Sequence, residues 1–466
     1  CNMPLFVTAT CEFSRYDDPF RTSAGEYVLL NSAGGGIGLL TTVRLVYSTP
    51  NFVLNQNFYE CAFEKVNGEM PRLGDLYRIT QVSSGNNTNN RNFTLLGDPA
   101  LRLNYPINSV ATAEVNHVVI TSQPDTLRAL SFVTIKGFVS DSLGNILPNF
   151  NGILYPSVFD KAKMITTLAN DPPNPAFTFL LQKSVLYHGK ASVVNGYFEF
   201  SFVVPKDIAY QYGSGRLSYF ADNGITDASG SFENIIIGGS NPNAPTDVTG
   251  PQLKLYLNDS NFVFGGITNN SPKLFAVVLD SNGVNTVGNG IGHDVVAILD
   301  DETANAIVLN DYYQSDINSY QSGKIIYPFS SLEQGKHTLS LKVWDVYNNS
   351  TTVKTEFTVT NPEVLTLNHV LNYPNPFTTH TSFYMEYNQC CVDYDIMIQV
   401  FTVSGKLVKT MNEHVASEGF RSEAIDWDGK DDYGDFLGRG VYIYHVVART
   451  SDGKTADKFE KLVILK

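Results

Sequence analysis

The chain has 466 residues, 43% of them hydrophobic, 12% aromatic and 17% charged. That length points to about three domains, and that apolar share excludes wholesale disorder. A formal net charge of −14 makes a poor partner for nucleic acid, and no uncharged apolar run reaches the roughly 18 residues that would cross a bilayer as a helix.

The first elements mix two periodicities. Residues 4–10 form a short apolar run of the kind found in buried parallel strands, ending at Cys11, where the chain turns polar. Thr22 or Ser23 offers an N-cap for a helix over 25–31, which three glycines, Gly34 to Gly36, end. Residues 37–47 read as a second strand. Ser48 and Thr49 then precede Pro50, suited to the first helical position, and an amphipathic helix through Leu54 and Phe58. A further helix is expected over 71–82, a polar loop over 86–92, and a last strand over 93–96.

From residue 106 the helical period almost vanishes. Short β-runs at 132–139, 196–204, 274–279, 294–299, 338–344 and 440–449 alternate with turns at Gly144, Gly283 and Gly405. Such spacing predicts β-sandwiches. The Gly-, Asn- and Pro-rich stretch 238–250 reads as a linker, and a second boundary falls at Asn361-Pro362. The expected division is an α/β segment over 1–105 and three β-sandwich modules over 106–240, 250–360 and 363–466. Asp141 and Asp280 begin similar Asp-Ser turns early in the first two modules.

The five cysteines, Cys1, Cys11, Cys61, Cys390 and Cys391, are too few and too scattered for a disulfide framework. No Cys-x-x-Cys pair exists, so no structural zinc is expected. Adjacent Cys390 and Cys391 would face opposite sides of a strand, one towards the core and one towards the surface. Chemistry points to Cys11, a thiol where an apolar strand opens into a polar loop, at the edge where open α/β sheets bind ligands. A nucleophilic Cys needs a base, normally His, and donors for the oxyanion. The eight histidines, at 117, 188, 293, 337, 369, 380, 414 and 445, all lie outside residues 1–105. A buried, inert thiol is the competing reading on spacing alone. Three weaker signals are structural. Gly34-Gly35-Gly36-Ile37-Gly38 lacks the Gly-Lys-Ser/Thr of a phosphate loop and reads as a closely packed turn. The Asp-dense stretch 426–432 lacks EF-hand spacing and reads as a turn. His293-Asp294 reads as the start of a strand.

Pro-Leu-Phe-Val-Thr-Ala-Thr-Cys-Glu-Phe-Ser-Arg-Tyr-Asp, residues 4–17, resembles the nucleophile strand of gingipain-type, caspase-like cysteine peptidases, and among them the PorU family, the sortases of the type IX secretion system. Leu96-Gly97-Asp98-Pro99-Ala100, Ala221-Asp222-Asn223-Gly224, Asp227-Ala228-Ser229-Gly230, Ile291-Gly292-His293-Asp294, the run 308–313 and the run 343–349 agree in order along the chain. Asn372-Tyr373-Pro374-Asn375-Pro376-Phe377, the run 398–406, Trp427-Asp428-Gly429 and the run 437–442 are similar to the immunoglobulin-like sorting domains of that system.

The resemblance implies a multidomain, mainly β protein: part of an α/β caspase-like domain followed by three immunoglobulin-like modules. It implies Cys11 as nucleophile, with Glu12, Ser14, Arg15, Tyr16 and Asp17 lining a substrate cleft. It places the catalytic His before residue 1, so that a chain starting at Cys1 is the carboxyl-terminal part of a longer protein and inactive by itself. The implied activity is cleavage of sorting domains from cargo proteins and transfer of the cargo to an anionic lipopolysaccharide through a Cys thioester. The implied location is the outer-membrane surface, with 363–466 docking on a barrel shuttle protein, and no metal or cofactor is required. Two other classes stand beside it: a secreted protease of the gingipain type, and a non-catalytic scaffold or adhesin.

Overall fold

The computed structural model describes residues 3–120, 125–170, 175–286, 292–361, 363–390, 392–417 and 419–465. Cys1, Cys391, Ile291 and Pro362 therefore lie outside the described residues. The chain divides into two compact units, residues 1–106 and 107–466.

In the first unit, β1 (Leu5–Val7) and β2 (Gly38–Thr42) pair in parallel, and β3 (Phe93–Gly97) pairs antiparallel on the other side of β2. β2 is central and buried along its whole length, which suits its run of Leu39, Leu40, Thr41 and Thr42. β1 covers only three of the expected seven residues and is half-buried, because it is the sheet's edge. The helix α1 (Ala24–Leu29) starts at Ser23 with a reciprocal capping box: the Ser23 hydroxyl accepts from the Glu26 N–H, and the Ser23 N–H donates to the Glu26 carboxylate at 2.8 Å. The turn after it is close-packed as expected. Gly35 has φ +94°, and a Cβ there would lie 2.0 Å from the Val28 carbonyl oxygen.

α2 (Ser48–Ala62) buries Leu54, Phe58 and Ala62, each one turn from the last. Its cap is Tyr47, so Pro50 is the third helical residue, not the first. The proline is still tolerated, since the first intrahelical donor is the Asn51 N–H, bonded to the Tyr47 carbonyl. α3 (Leu73–Ser83) buries Leu73, Leu76 and Thr80. The loop expected at 86–92 contains a short helix, α4 (Thr88–Arg91), because the Asn87 side chain accepts from the Asn90 N–H at 2.9 Å and caps it.

The second unit holds three separate apolar cores, within residues 110–237, 255–359 and 365–464. In the first, a nine-stranded sheet curls until its ends meet: Gly152–Phe159 pairs with both Ala191–Val194 and Arg216–Asp222. The sandwich expected there is thus a closed sheet with a small three-stranded companion, an arrangement that leaves few free edges. The second core lies between a four-stranded and a five-stranded sheet. The third lies between the three strands Leu367–Tyr373, Thr381–Tyr387 and Ile425–Trp427 and the four strands Leu407–Ala416, Asp393–Thr402, Gly440–Thr450 and Thr455–Ile464. Tyr444, Leu462 and Ile464 fill this last core, while Thr455–Ile464 is an edge strand. Regular structure from the first module runs through Ser240, so the linker begins at 241.

The Asp turns share one piece of physics. Asp141, Asp345 and Asp431 each accept from the backbone N–H groups two and four residues on. Asp280 accepts instead from the N–H groups two and three residues on, those of Asn282 and Gly283.

Candidate active site

Cys11 sits in a turn four residues beyond the carboxyl end of β1. The turn is tied to β2 and the segment after it. The Thr8 N–H donates to the Leu40 carbonyl at 2.9 Å, and the Ser14 N–H to the Thr42 carbonyl at 2.9 Å. The Thr42 hydroxyl also reaches the Thr10 carbonyl. The Cys11 side chain is exposed, and its Sγ lies 3.3 Å from the Val46 carbonyl oxygen. Among the described residues the Cys11 N–H meets no acceptor, which leaves it available to an oxyanion. Glu12 follows in the left-handed region, φ +51°, a conformation that glycine normally takes and that sharpens the turn at the thiol.

The loop residues divide. Glu12 and Arg15 form an ion pair at 3.0 Å, and Asp17 takes a bidentate grip from Arg44, one arm at 2.9 Å. The Arg44 hydrogen bond holds the Asp17 carboxyl below the usual carboxylate range. Tyr16 is exposed. Ser14 is the exception to the expected cleft: it is fully buried, and its hydroxyl lies 2.8 Å from the Thr41 hydroxyl, which itself accepts from Thr8. A Cβ on Gly25 would stand 1.7 Å from Ser14 Oγ, so α1 packs directly on this residue. Ser14 anchors the loop from below and cannot face a substrate.

No residue of the first unit supplies an imidazole, as its sequence contains no His. The thiol at Cys61 is a different case, with burial pushing its pKa up. Cys390 is half-buried, and the paired question at Cys391 lies outside the described residues. His293 is not simply the start of a strand, which begins at Val296. Its Nδ1 is 2.7 Å from the Asp207 carboxylate of the preceding module, and its ring centroid is 4.4 Å from that of Trp344. Asn348 donates to the same carboxylate at 2.7 Å. This set joins two β modules and is remote in sequence from Cys11, with no sign of it in the local pattern.

One further cluster escaped the sequence reading. Asp247, Asp280 and Asp345 bring carboxylate oxygens within 4.8 Å of one another, the one group among the described residues with the spacing to hold a metal ion. Asp280 and Asp345 are buried. Burial, reinforced by the Asp345 and Asp247 charges, pushes the Asp280 pKa up to about 6. The three residues lie 33 and 65 positions apart in sequence, so only the folded turns bring them together.

Residues 1–104 match the family model for peptidase family C25. No curated protein sequence matches the chain. Among solved structures, the chain is similar to dimeric latent PorU from Porphyromonas gingivalis at 28% identity, covering 92% of this chain and 41% of that one, with a TM-score of 0.38. It therefore spans less than half of that protein's length. The SGBP-B protein of the Bacteroides ovatus mixed-linkage glucan utilization locus matches at 9% identity, covering 76% and 70%, with a TM-score of 0.22. The Escherichia coli adhesin FdeC matches at 12%, covering 78% and 98%, with a TM-score of 0.17.

Proposed function

Starting from a PorU-like protein whose first 104 residues are of the C25 cysteine peptidase type, we propose that Cys11 is the nucleophile of a cell-surface peptidase that works as a transpeptidase. The observation that carries this reading is an exposed thiol, within the C25-matching segment, on a sharpened turn beyond a parallel strand. The Cys11 thiolate attacks a peptide carbonyl carbon. The tetrahedral oxyanion draws on the Cys11 N–H, the C–N bond breaks, and the leaving amine takes a proton from the base that had accepted the thiol's. That base is a histidine outside residues 1–104. The thioester is then resolved by an acceptor amine, which loses a proton as Cys11 leaves as thiolate.

The substrates follow from the resemblance to the type IX sortases: cargo proteins cut before their sorting domains, with an anionic lipopolysaccharide as acceptor at the outer-membrane surface. Residues 363–466, which resemble the sorting domains themselves, would dock on the barrel shuttle. No helix among the described residues is long and apolar enough to cross a membrane. Arg15 is neutralised by Glu12, so of the nearby cations exposed Arg21 is the one better placed to meet an anionic acceptor. The test is product mass from the full-length protein acting on a sorting-domain substrate with a small competing amine. An amide product supports transfer. A free carboxylate at every amine concentration makes the protein a hydrolase of the gingipain type. Unchanged processing by Cys11→Ala removes Cys11 from the mechanism.

A further inference from the structure

The last module is left open along one side. Leu407–Ala416 is an edge strand of the four-stranded sheet, and Ile425–Trp427 is an edge strand of the three-stranded sheet. Both edges line one cleft of about 730 Å³, whose lining also includes Asp259 and Asn261 of the preceding module. A Cβ on Gly419 would lie 2.5 Å from the Asp259 carboxylate, so the two modules meet closely there.

The two halves of the Leu407–Ala416 edge differ. Near its start the outward-facing backbone is covered: the Asp432 N–H donates to the Val408 carbonyl at 3.1 Å, and the Thr410 N–H donates to the Asp432 carboxylate at 3.2 Å. Alternation along the strand then turns the N–H and C=O groups of Asn412, His414 and Ala416 outward. Those groups meet no backbone partner among the described residues. An uncovered edge beside a cleft is a template for an added strand.

Charge selects the strand. Asp259, Glu413, Glu423 and Asp426 line the cleft, and none of them has an ion-pair partner among the described residues. No Lys or Arg lines it, and its one imidazole, His414, is held by Asp395 at 2.9 Å. Glu413 shares a strand face with Met411 and Val415, both packed against the core, so its carboxylate lies on the inner side of the opening. The adjoining recess, which shares Asn261, Glu423 and Ala424, adds Tyr373, Tyr384 and Arg421, whose guanidinium lies 5.3 Å over the Tyr384 ring, so the acidic selectivity belongs to the cleft and not to this recess.

We propose that this cleft binds an extended basic peptide, which adds as a strand to the Asn412–Ala416 edge and sets Lys or Arg side chains against the four carboxylates. The site is independent of Cys11 and of the peptidase reading. Backbone pairing would supply affinity, and the carboxylates would supply selectivity and on-rate.

The test uses the 466-residue chain and a labelled peptide of about eight residues alternating Val and Lys, long enough to span one strand. Fluorescence anisotropy should show binding that weakens about tenfold or more when Glu413 and Glu423 are both changed to Gln, and that also weakens with salt. A Val–Glu peptide should not bind. A Lys peptide with Pro at alternate positions should bind about tenfold more weakly, since Pro cannot donate to the ladder. Hydrogen exchange on the unmutated chain should show the amides of 412, 414 and 416 protected by the Val–Lys peptide. Equal binding of the Pro-containing peptide, or protection absent from that edge, would overturn strand addition. Equal binding after the double Gln change would overturn the carboxylate selectivity.

Discussion

Among the described residues, the first unit encloses one cluster of eight buried apolar side chains around a three-stranded sheet, whereas each β module that follows encloses sixteen or more. The first unit also leaves Phe20, Leu30, Leu45, Tyr47, Phe52 and Phe63 each more than two thirds exposed. Within this chain the β modules therefore hold most of the buried apolar surface, and with it most of the stability. The thiol proposed as nucleophile needs solvent access and a held turn, and sandwich cores need neither.

The largest expected effect lies in the first unit and in rate. In the full-length protein, Cys11→Ala should lower sorting-domain cleavage by about a thousandfold or more, the scale for loss of a covalent nucleophile, with folding unchanged by circular dichroism. The largest stability effect belongs to the β modules. Phe357 is 1% exposed between two sheets, and Phe357→Ala should cost about 3–5 kcal/mol in urea unfolding. If the two units are thermodynamically separate, that change shifts only the transition of 107–466, followed by hydrogen exchange, and leaves the Cys11 segment alone. A shift of both transitions would break the comparison.

Gly25→Ala tests the link between α1 and the thiol loop. The added methyl collides with Ser14 Oγ and should cost about 1–3 kcal/mol while also lowering cleavage, because Ser14 anchors the turn. Cleavage at the unmutated rate would show that the anchor does not position Cys11.

Asp280→Asn works in the opposite direction. Asp280 has a folded pKa of about 6, above its unfolded value of 3.8. The native state therefore holds its proton more tightly, and stability falls as pH rises from about 4 to about 6. Removing that carboxylate should raise the stability at pH 7 to 8 by about 1 kcal/mol, read as a higher melting temperature, with the gain fading towards pH 4. Destabilisation at pH 7 that a chelator reproduces in the unmutated chain would show that the three-carboxylate cluster holds a cation. The smallest effect is at the surface. Asp17 and Arg44 are each about half exposed, so Asp17→Asn should cost little stability, and less still in high salt.

Local signals carried well wherever local physics decides the outcome. The β-runs at 132–139, 274–279 and 440–449 match strands Phe132–Ser140, Lys273–Leu279 and Gly440–Thr450, because alternation and turn residues are properties of neighbours in sequence. Of the two N-caps expected for α1, Thr22 or Ser23, the structure uses Ser23, while the Glu26 half of its capping box was not foreseen. The change in polarity placed Cys11 in a turn beyond the first strand, where the structure has it exposed. Ser14 was not legible in this way. Its neighbours are polar, and only the hydroxyl of Thr41, 27 residues away, draws it inward. His293 and the Asp247, Asp280 and Asp345 cluster were missed likewise, since their partners come from other turns and other modules. The open edge over Asn412–Ala416 is a property of sheet order, which no periodicity reveals.

The nucleophile is identified by where an acyl group attaches. The full-length protein should be incubated with an electrophilic peptide built on a sorting-domain junction, digested, and read by mass spectrometry. The expected result is one adduct, on the peptide containing Cys11, lost in Cys11→Ala. An adduct confined to Cys61 or Cys390, or cleavage that continues with Cys11 unmodified, would contradict it.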